Sequence, residues 1–157
     1  MEKILRLLQE ASKAFRTAEN LSYFSYPILM DNKVLLSIAN QLYIASLNGV
    51  YAVLHYEKLN KRLSILPFDS KLRMEVFEKD ISERIGVDPN FSNVVNGLRE
   101  IVEGHRESVV EFSRGDSFLI CNQDYSNIKS LNIELLKAYS YIIRNFLARV
   151  NGMVKNV

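Results

Sequence analysis

Apolar residues recur at alternating steps of three and four along most of the chain. This spacing places side chains on one face of an α-helix. Because a proline disfavours helical geometry at the residue before it, Pro27 predicts that the first helix ends or breaks near Tyr26. The first run extends from Glu2 to about Leu21, with inward positions Ile4, Leu7, Ala11, Ala14, Ala18 and Leu21.

The second predicted helix is the longest. Asp31 suits the position that caps a helix N-terminus, and the three-four rhythm then persists for about four heptads. Small residues lie near the middle of its apolar stripe, and Gly49 is unfavourable in a helix unless a neighbouring helix packs closely against it. We therefore expect a helix that runs most of the length of the domain. Its inward positions are Leu35, Ile38, Leu42, Ala45, Gly49, Ala52, Tyr56, Leu59 and Leu63.

Two shorter helices are predicted next. A third, more polar helix covers about Ser70 to Ile85, and Gly86 is its natural stop. Asp88-Pro89 is a helix-start signature, and the fourth helix that it opens is expected to end near Gly104. The inward positions are Met74, Phe77, Ile81 and Ile85 in the third helix, and Phe91, Val94, Leu98 and Ile101 in the fourth.

The pattern changes between Val109 and Asn122. Apolar and polar residues alternate there, and Ser117 to Cys121 is a short β-prone run, so we predict a two-stranded hairpin with Gly115 in its turn. A lone hairpin is marginal in water and must pack on the helices. Asn132 then caps the last helix, whose inward positions are Leu136, Tyr139, Ile143, Phe146, Val150 and Met153.

These elements predict an all-α fold over residues 1–157, an up-and-down helical bundle of about five helices with a small β-hairpin before the last helix. The length of 157 residues suits one domain with one hydrophobic core. No apolar run approaches the roughly 20 residues that span a bilayer, and the N-terminal stretch lacks the continuous apolar core of a signal peptide. We therefore expect a soluble, cytoplasmic protein with no membrane partner.

Few side chains are available for chemistry. The chain has two histidines, His55 and His105, and one cysteine, Cys121, so neither an internal disulfide nor a zinc site of the usual kind is expected. It has no glycine-rich phosphate loop and no dinucleotide fingerprint. We expect no metal and no cofactor. The net charge of +2 neither demands nor excludes a polyanionic partner.

Arg99 precedes His105 by six positions at the end of the fourth predicted helix. Together with the helical plan, this pair resembles the HEPN superfamily, whose ribonuclease members carry an arginine and a histidine separated by four to six residues. The stretch from Ala39 to Leu59 resembles the long second helix of that family, and the last helix, preceded by Tyr125, follows in matching order. Catalytic members usually have a small polar residue after the arginine, where this chain has Glu100.

The resemblance implies a metal-independent endoribonuclease that uses the 2′-hydroxyl of RNA as its nucleophile. His105 would move protons as the general acid/base. Arg99 would clamp the phosphate, and Arg106, one heptad after Arg99, would make a second phosphate contact. The family resemblance also implies a homodimer with the motif at the subunit interface, and an antitoxin-like protein partner.

A second interpretation competes with the first. Six residues turn a straight helix through about 600°, so Arg99 and His105 come together only if Gly104 ends the helix or a second subunit contributes. His105 also continues the apolar stripe of the fourth helix as a packed histidine would, and Arg99 is spaced to pair with Glu103. The chain would then be a non-catalytic, dimeric binding module that docks a protein partner or RNA, which the near-neutral charge favours.

Overall fold

The structure is a computed structural model that describes residues 1–107, 110–121 and 128–155. Within those residues the protein contains five helices and a three-stranded antiparallel sheet that precedes the last helix. A π-helical turn joins α2 to α1, so these two segments form one helix. The helical segments are α1 (Glu2–Asn20), α2 (Tyr26–Leu29), α3 (Asn32–Leu59), α4 (Ser70–Val76), α5 (Phe91–Glu107) and α6 (Ile133–Lys155), and the strands are β1 (Val110–Arg114), β2 (Ser117–Cys121) and β3 (Lys129–Leu131).

The helix α3 forms the centre of the core. The Asp31 side chain accepts a hydrogen bond from the Lys33 backbone N–H at 2.9 Å, which confirms the predicted cap. The helix has 28 residues and packs against α1, α5 and α6. The predicted inward positions from Leu35 to Tyr56 are buried. Leu59 is wrongly predicted, because it is the last residue of the helix and is 53% exposed, and Leu63 follows the helix end.

The close approach of α3 and α6 depends on Gly49. A Cβ atom at this position would lie 2.6 Å from Cε1 of Phe146 and 2.9 Å from Cδ2 of Leu147. The Phe146 ring packs against Phe77 and Phe91, with ring centroids 5.8 Å and 4.0 Å away, so the ring is held on its other sides. The predicted reason for a glycine here, close packing of a neighbouring helix, is confirmed.

The first helix is interrupted just before Tyr26, near the predicted break, and helical geometry then continues to Leu29. A π-helical turn over Leu21–Ser25 connects α1 to α2, and the Tyr26 N–H bonds to the Leu21 carbonyl, five residues back. Because this turn resets the hydrogen-bond register, Pro27 falls in the first turn of α2, where a missing N–H costs little. The chain leaves the helix at Met30, which has a φ of 47°.

The third predicted helix is shorter than expected. The regular helix α4 ends at Val76, and a π-helical turn over Phe77–Ile81 follows it, so the helical segment stops before Ile85. The chain then turns to Gly86, whose φ of 75° is a conformation that glycine adopts without strain. The helical segment therefore ends at Ile81 and not at the predicted stop, and Gly86 belongs to the turn that follows.

The fourth predicted helix, α5, does not end at Gly104. Asp88 accepts a hydrogen bond from the Asn90 N–H at 2.8 Å, which confirms the predicted start. The helix then passes through Gly104 to Glu107. A glycine inside a helix costs only about 1 kcal/mol, and α5 packs here against β2, where a Cβ on Gly104 would lie 3.8 Å from Ile120. Packing against the sheet therefore overrides the local stop signal.

The predicted hairpin is present and is extended by a third strand. β1 and β2 pair antiparallel, from Arg114 opposite Ser117 outward, and Gly115 in the turn has a φ of 62°. β3 pairs with the other edge of β2. The central strand, β2, carries the buried side chains Phe118 and Ile120. The sheet packs on α5 and α3, as expected. The predicted ends of the hairpin, 109 and 122, lie outside the described residues.

The last helix, α6, begins as predicted. The Asn132 side chain accepts a hydrogen bond from the Leu135 N–H at 2.9 Å. Tyr139 and Met153, at two of the predicted inward positions, are partly buried. The other four, Leu136, Ile143, Phe146 and Val150, belong to the buried core.

We predict that Gly49→Ala lowers the free energy of unfolding by about 1–2 kcal/mol, because overpacking against a held ring outweighs the gain in helix propensity. Gly152→Ala is the matched control. Gly152 also lies inside a helix, and a Cβ there meets no atom within 4 Å. It should raise the free energy of unfolding by about 0.5–1 kcal/mol. Equilibrium urea denaturation of the three proteins measures both changes, and equal stabilisation by both alanines would contradict the packing argument.

Candidate functional site

The end of α5 and the first half of α3 enclose an open pocket of about 530 Å³. His105 and Arg106 occupy the last described turn of α5, because the helix continues past Gly104. Lys33 and Ser37 lie on exposed positions of α3 across the pocket. We call this space the His105 pocket. It is lined by Lys33, Leu36, Ser37, Asn40, Ile101, Val102, His105 and Arg106.

His105 lies at the surface of this pocket. Its side chain is 48% exposed, so it is not packed in the core as the second interpretation expected. Its Nδ1 atom lies 2.7 Å from Oε1 of Glu111, the second residue of β1. An ionised carboxylate only accepts hydrogen bonds, so Nδ1–H donates to Glu111. This contact orients the imidazole ring and, in the neutral ring, leaves the lone pair on Nε2.

The strand that carries Glu111 is tied to α3. The Asn32 side-chain amide, at the first residue of α3, donates a hydrogen bond to the Ser113 hydroxyl in β1. Lys33 is the next residue of the helix. The histidine, its carboxylate partner and the lysine therefore come from three different elements, α5, β1 and α3, that meet at one end of the fold.

Two cations share the pocket with the histidine. Arg106 and Lys33 both line it, and both residues are exposed. The predicted second phosphate contact, Arg106, is thus the arginine that the structure brings next to His105. Lys33 was not among the predicted site residues, because it is far from the motif in sequence and resembles any charged residue in the first turn of a helix.

Arg99, the predicted phosphate clamp, is not one of the residues that line the His105 pocket. It lies seven residues before Arg106 on an uninterrupted helix, about 10 Å away along the axis and on nearly the same face. The prediction that Gly104 ends the helix and turns His105 back towards Arg99 is therefore wrong. Within the described residues no ion pair joins Arg99 to Glu103, and the neighbouring Glu100 pairs with Lys129 of β3 at 2.9 Å.

The charge of Arg99 acts on the pKa of Tyr43, a residue of α3. Burial raises the pKa of this half-buried phenol, and nearby charges modify it: Arg99 and Arg106 lower the pKa, and Glu103 raises it. All three charges belong to α5, which packs against α3, and Arg106 also lines the His105 pocket. We call the space between these two helices the α3–α5 groove.

Glu111, like Lys33, is a residue of the site that sequence reasoning missed. It follows His105 by six positions, but the two lie in different elements, and helix spacing gives no guidance across that boundary. The available signal was an acidic residue in the first strand of the predicted hairpin, directly after the helix that carries the histidine. Pairing between β1 and β2, with Glu111 opposite Ile120, fixes its position.

Within the described ranges, no group of three or more histidine, cysteine, aspartate or glutamate side chains is placed to hold a metal ion. No helix in those ranges combines the length and apolar character needed to cross a membrane. Comparison with models of protein families, with curated proteins and with solved structures found no match to this chain. The HEPN resemblance therefore stays a prediction.

We predict that Arg99→Gln raises the pKa of Tyr43, because it removes a positive charge that favours the phenolate. Glu103→Gln should lower the same pKa. The pKa is measured by NMR titration of ¹³C-labelled tyrosine rings at alkaline pH. Glu100→Gln is the control, because Glu100 acts on the pKa of Tyr139 and should leave that of Tyr43 unchanged. An unchanged Tyr43 in the Arg99 variant would show that Arg99 does not face this groove.

Proposed function

We propose that this chain is a HEPN-like domain that cleaves RNA without a metal ion, with His105 as the general acid/base. The observation that carries the proposal is the His105–Glu111 pair, 2.7 Å apart, at an open pocket that also holds Arg106 and Lys33. A histidine whose ring is oriented by a carboxylate is an arrangement suited to proton transfer. The two cations supply the charge that a phosphodiester requires.

The chemistry follows from the substrate. The 2′-hydroxyl of RNA loses its proton and attacks the adjacent phosphorus, forming a 2′,3′-cyclic phosphate, and the bond to the 5′-oxygen breaks as that oxygen gains a proton. His105 carries protons in these transfers, and Glu111 holds its ring and stabilises the imidazolium form. Arg106 and Lys33 stabilise the negative charge that develops on the phosphoryl oxygens.

Arg99 takes a different role from the one predicted. Because it lies about two helical turns before Arg106, we assign it to the phosphate of a flanking nucleotide in the α3–α5 groove. The net charge of the chain is only +2, so RNA affinity comes from this local group of cations. Binding that uses a few phosphate contacts has a modest dependence on salt concentration.

We predict that the purified protein cleaves a labelled single-stranded RNA in EDTA and that His105→Ala reduces the rate by about 10² or more, the usual contribution of general acid/base catalysis. Glu111→Gln should reduce the rate by a smaller factor. His55→Ala is the matched control, because His55 is the other histidine of the chain and lies near the opposite end of α3; it should cleave at the parent rate.

Circular dichroism of each variant establishes that it is folded. Equal cleavage by the parent and by folded His105→Ala would assign the activity to another site or to a contaminant. No cleavage by the parent over a range of RNA sequences would overturn the nuclease proposal and leave the binding module.

A specific surface favours that second candidate, a dimeric binding module. Residues near the end of the first helix expose large apolar side chains, between 52% and 83% of each. Monomeric proteins rarely expose contiguous apolar patches larger than a few hundred Å². We call this surface the apolar end. It consists of Tyr23, Phe24, Ile28, Leu29 and Met30.

We propose a second copy of the chain as the occupant of the apolar end. Its surroundings carry both signs of charge, with Lys137 over the Tyr23 ring and Asp31 next to Met30. A charged surface that pairs with a copy of itself is complementary when it carries both positive and negative groups. A surface for an acidic or a basic partner needs charges of one sign only. Met30 is also three residues from Lys33 of the His105 pocket, so such a dimer would border the candidate catalytic site.

We predict that the parent protein is a dimer in light scattering coupled to size-exclusion chromatography, and that the double substitution Phe24→Glu with Ile28→Glu makes it a monomer. Buried like charges at a self-paired surface are strongly unfavourable. The control is Phe68→Glu, which changes a fully exposed apolar residue in the loop between α3 and α4 and should stay dimeric. If the parent protein is still a monomer at a concentration of about 100 μM, on the order of the dissociation constant of a weak dimer, the dimer is excluded. An antitoxin-like protein is then the expected partner.

A further inference from the structure

A second open pocket, of about 550 Å³, lies where the ends of α3 and α6 meet the turn before Gly86. Three arginines from three separate segments line it: Arg62 follows α3, Arg84 precedes Gly86, and Arg149 lies on α6. Among the residues that the structure describes, no acidic side chain lines this space. We call it the arginine pocket.

Glu57 holds two of these arginines in place. Its carboxylate is 1% exposed and accepts hydrogen bonds from Nε and Nη2 of Arg62, both at 3.0 Å, and from Nη2 of Arg84. Burial raises the pKa of this carboxyl group, but the hydrogen bonds from Arg62 and Arg84 outweigh burial and hold the pKa below its usual range. Glu57 is therefore ionised at neutral pH, and one negative charge faces two fixed guanidinium groups.

Arg149 is held in place by a backbone carbonyl group. Its Nε donates a hydrogen bond to the Ile85 carbonyl at 2.7 Å. Its guanidinium group lies over Gly86, where a Cβ atom would be 2.1 Å from Nη2. Within the described residues, every ion pair joins an acidic side chain to another cation, and none includes Arg149.

The pocket thus carries more positive charge than folding requires. A buried carboxylate is satisfied by one arginine that binds it through two nitrogens, as Arg62 does here. Arg84 adds a second positive charge, and Arg149 adds a third that has no role in neutralising Glu57. Guanidinium groups that are already fixed lose little entropy on binding an anion. Each carries five N–H donors, more than Glu57 and the Ile85 carbonyl accept from these arginines.

We propose that the arginine pocket binds a small phosphomonoester of about the size of a mononucleotide. Its volume of about 550 Å³ lies within the range of roughly 300–1,000 Å³ typical of small-molecule sites and exceeds the needs of a bare anion. The apolar side chains Ile85 and Met153, with the Tyr56 ring, supply a wall for an organic group.

This site is separate from the His105 pocket. Tyr56 lies sixteen residues beyond Asn40 on the same uninterrupted helix, about 24 Å along the axis at 1.5 Å per residue. The proposal therefore does not depend on the ribonuclease activity. A ligand in the arginine pocket would act as an effector or as a second substrate.

The test is isothermal titration calorimetry of the full chain with adenosine 5′-monophosphate at low ionic strength. We predict binding at one site, weaker binding of inorganic phosphate and no binding of adenosine. Arg149→Gln should weaken the nucleotide at least tenfold, because one charged hydrogen-bonding partner is lost. It should leave thermal stability nearly unchanged, because Glu57 keeps both of its arginines.

Arg114→Gln is the control for charge. It also removes one positive charge, but from the exposed end of β1, and should bind the nucleotide as the parent does. The proposal is overturned if calorimetry detects no heat of binding with millimolar adenosine 5′-monophosphate. It is also overturned if the parent and Arg149→Gln bind this nucleotide with equal affinity. Binding of adenosine as tight as that of the nucleotide would show that the phosphate is not recognised. Equal binding of inorganic phosphate and nucleotide would remove the role of the apolar wall.

Discussion

The burial of α3 along most of its length is the constraint on which the rest of the structure depends. A helix of 28 residues with buried positions from Leu35 to Glu57 needs neighbours on several sides, and α1, α5 and α6 supply them. Gly49 sets the distance to α6, and Phe146, Phe77 and Phe91 form the aromatic contact that fills the space beyond it. Because α3 is long and central, its two ends become the places where other elements converge. Both pockets that carry proposals lie there.

The two pockets use acidic side chains in different ways. In the arginine pocket, Glu57 is buried beneath the arginines and fixes their positions, so the charge presented to solvent is positive. At the His105 pocket, Glu111 is partly exposed and contacts the histidine, which itself lines the pocket with the cations. The first arrangement suits the holding of an anion. The second suits the movement of a proton, because a carboxylate next to an imidazole orients it and stabilises its charged form.

Much of the helical plan could be predicted from the sequence. Caps such as Asp31 and Asn132 act through hydrogen bonds within three residues, and apolar stripes report burial directly, so local rules suffice. The same rules failed at Gly104, where packing against a strand overrides local preference. Near Pro27 they predicted an end or a break, but not that the helix resumes after a π-helical turn. The third strand has only three residues, too few for a pattern to show.

The candidate site could be predicted only in part, for a related reason. His105 and Arg106 are neighbours in sequence, so one helix places them together. Lys33 reaches the pocket from α3, and Glu111 reaches His105 from β1. Only tertiary packing determines that meeting. Arg99 shows the converse, since its spacing from the histidine looked meaningful but an uninterrupted helix turns the two side chains apart.

The π-helical turn over Leu21–Ser25 has a consequence for the surface that follows it. Such a turn holds one residue more than an α-helical turn, so everything after it is rotated as if a single residue had been inserted. In an unbroken α-helix, position 29 would lie on the same face as the buried Ser22, seven residues before it. Instead Leu29 is 64% exposed. The exposure of Leu29 in the apolar end is therefore the product of a one-residue change in phase, and a regular α-helix over the same residues would direct Leu29 towards the core.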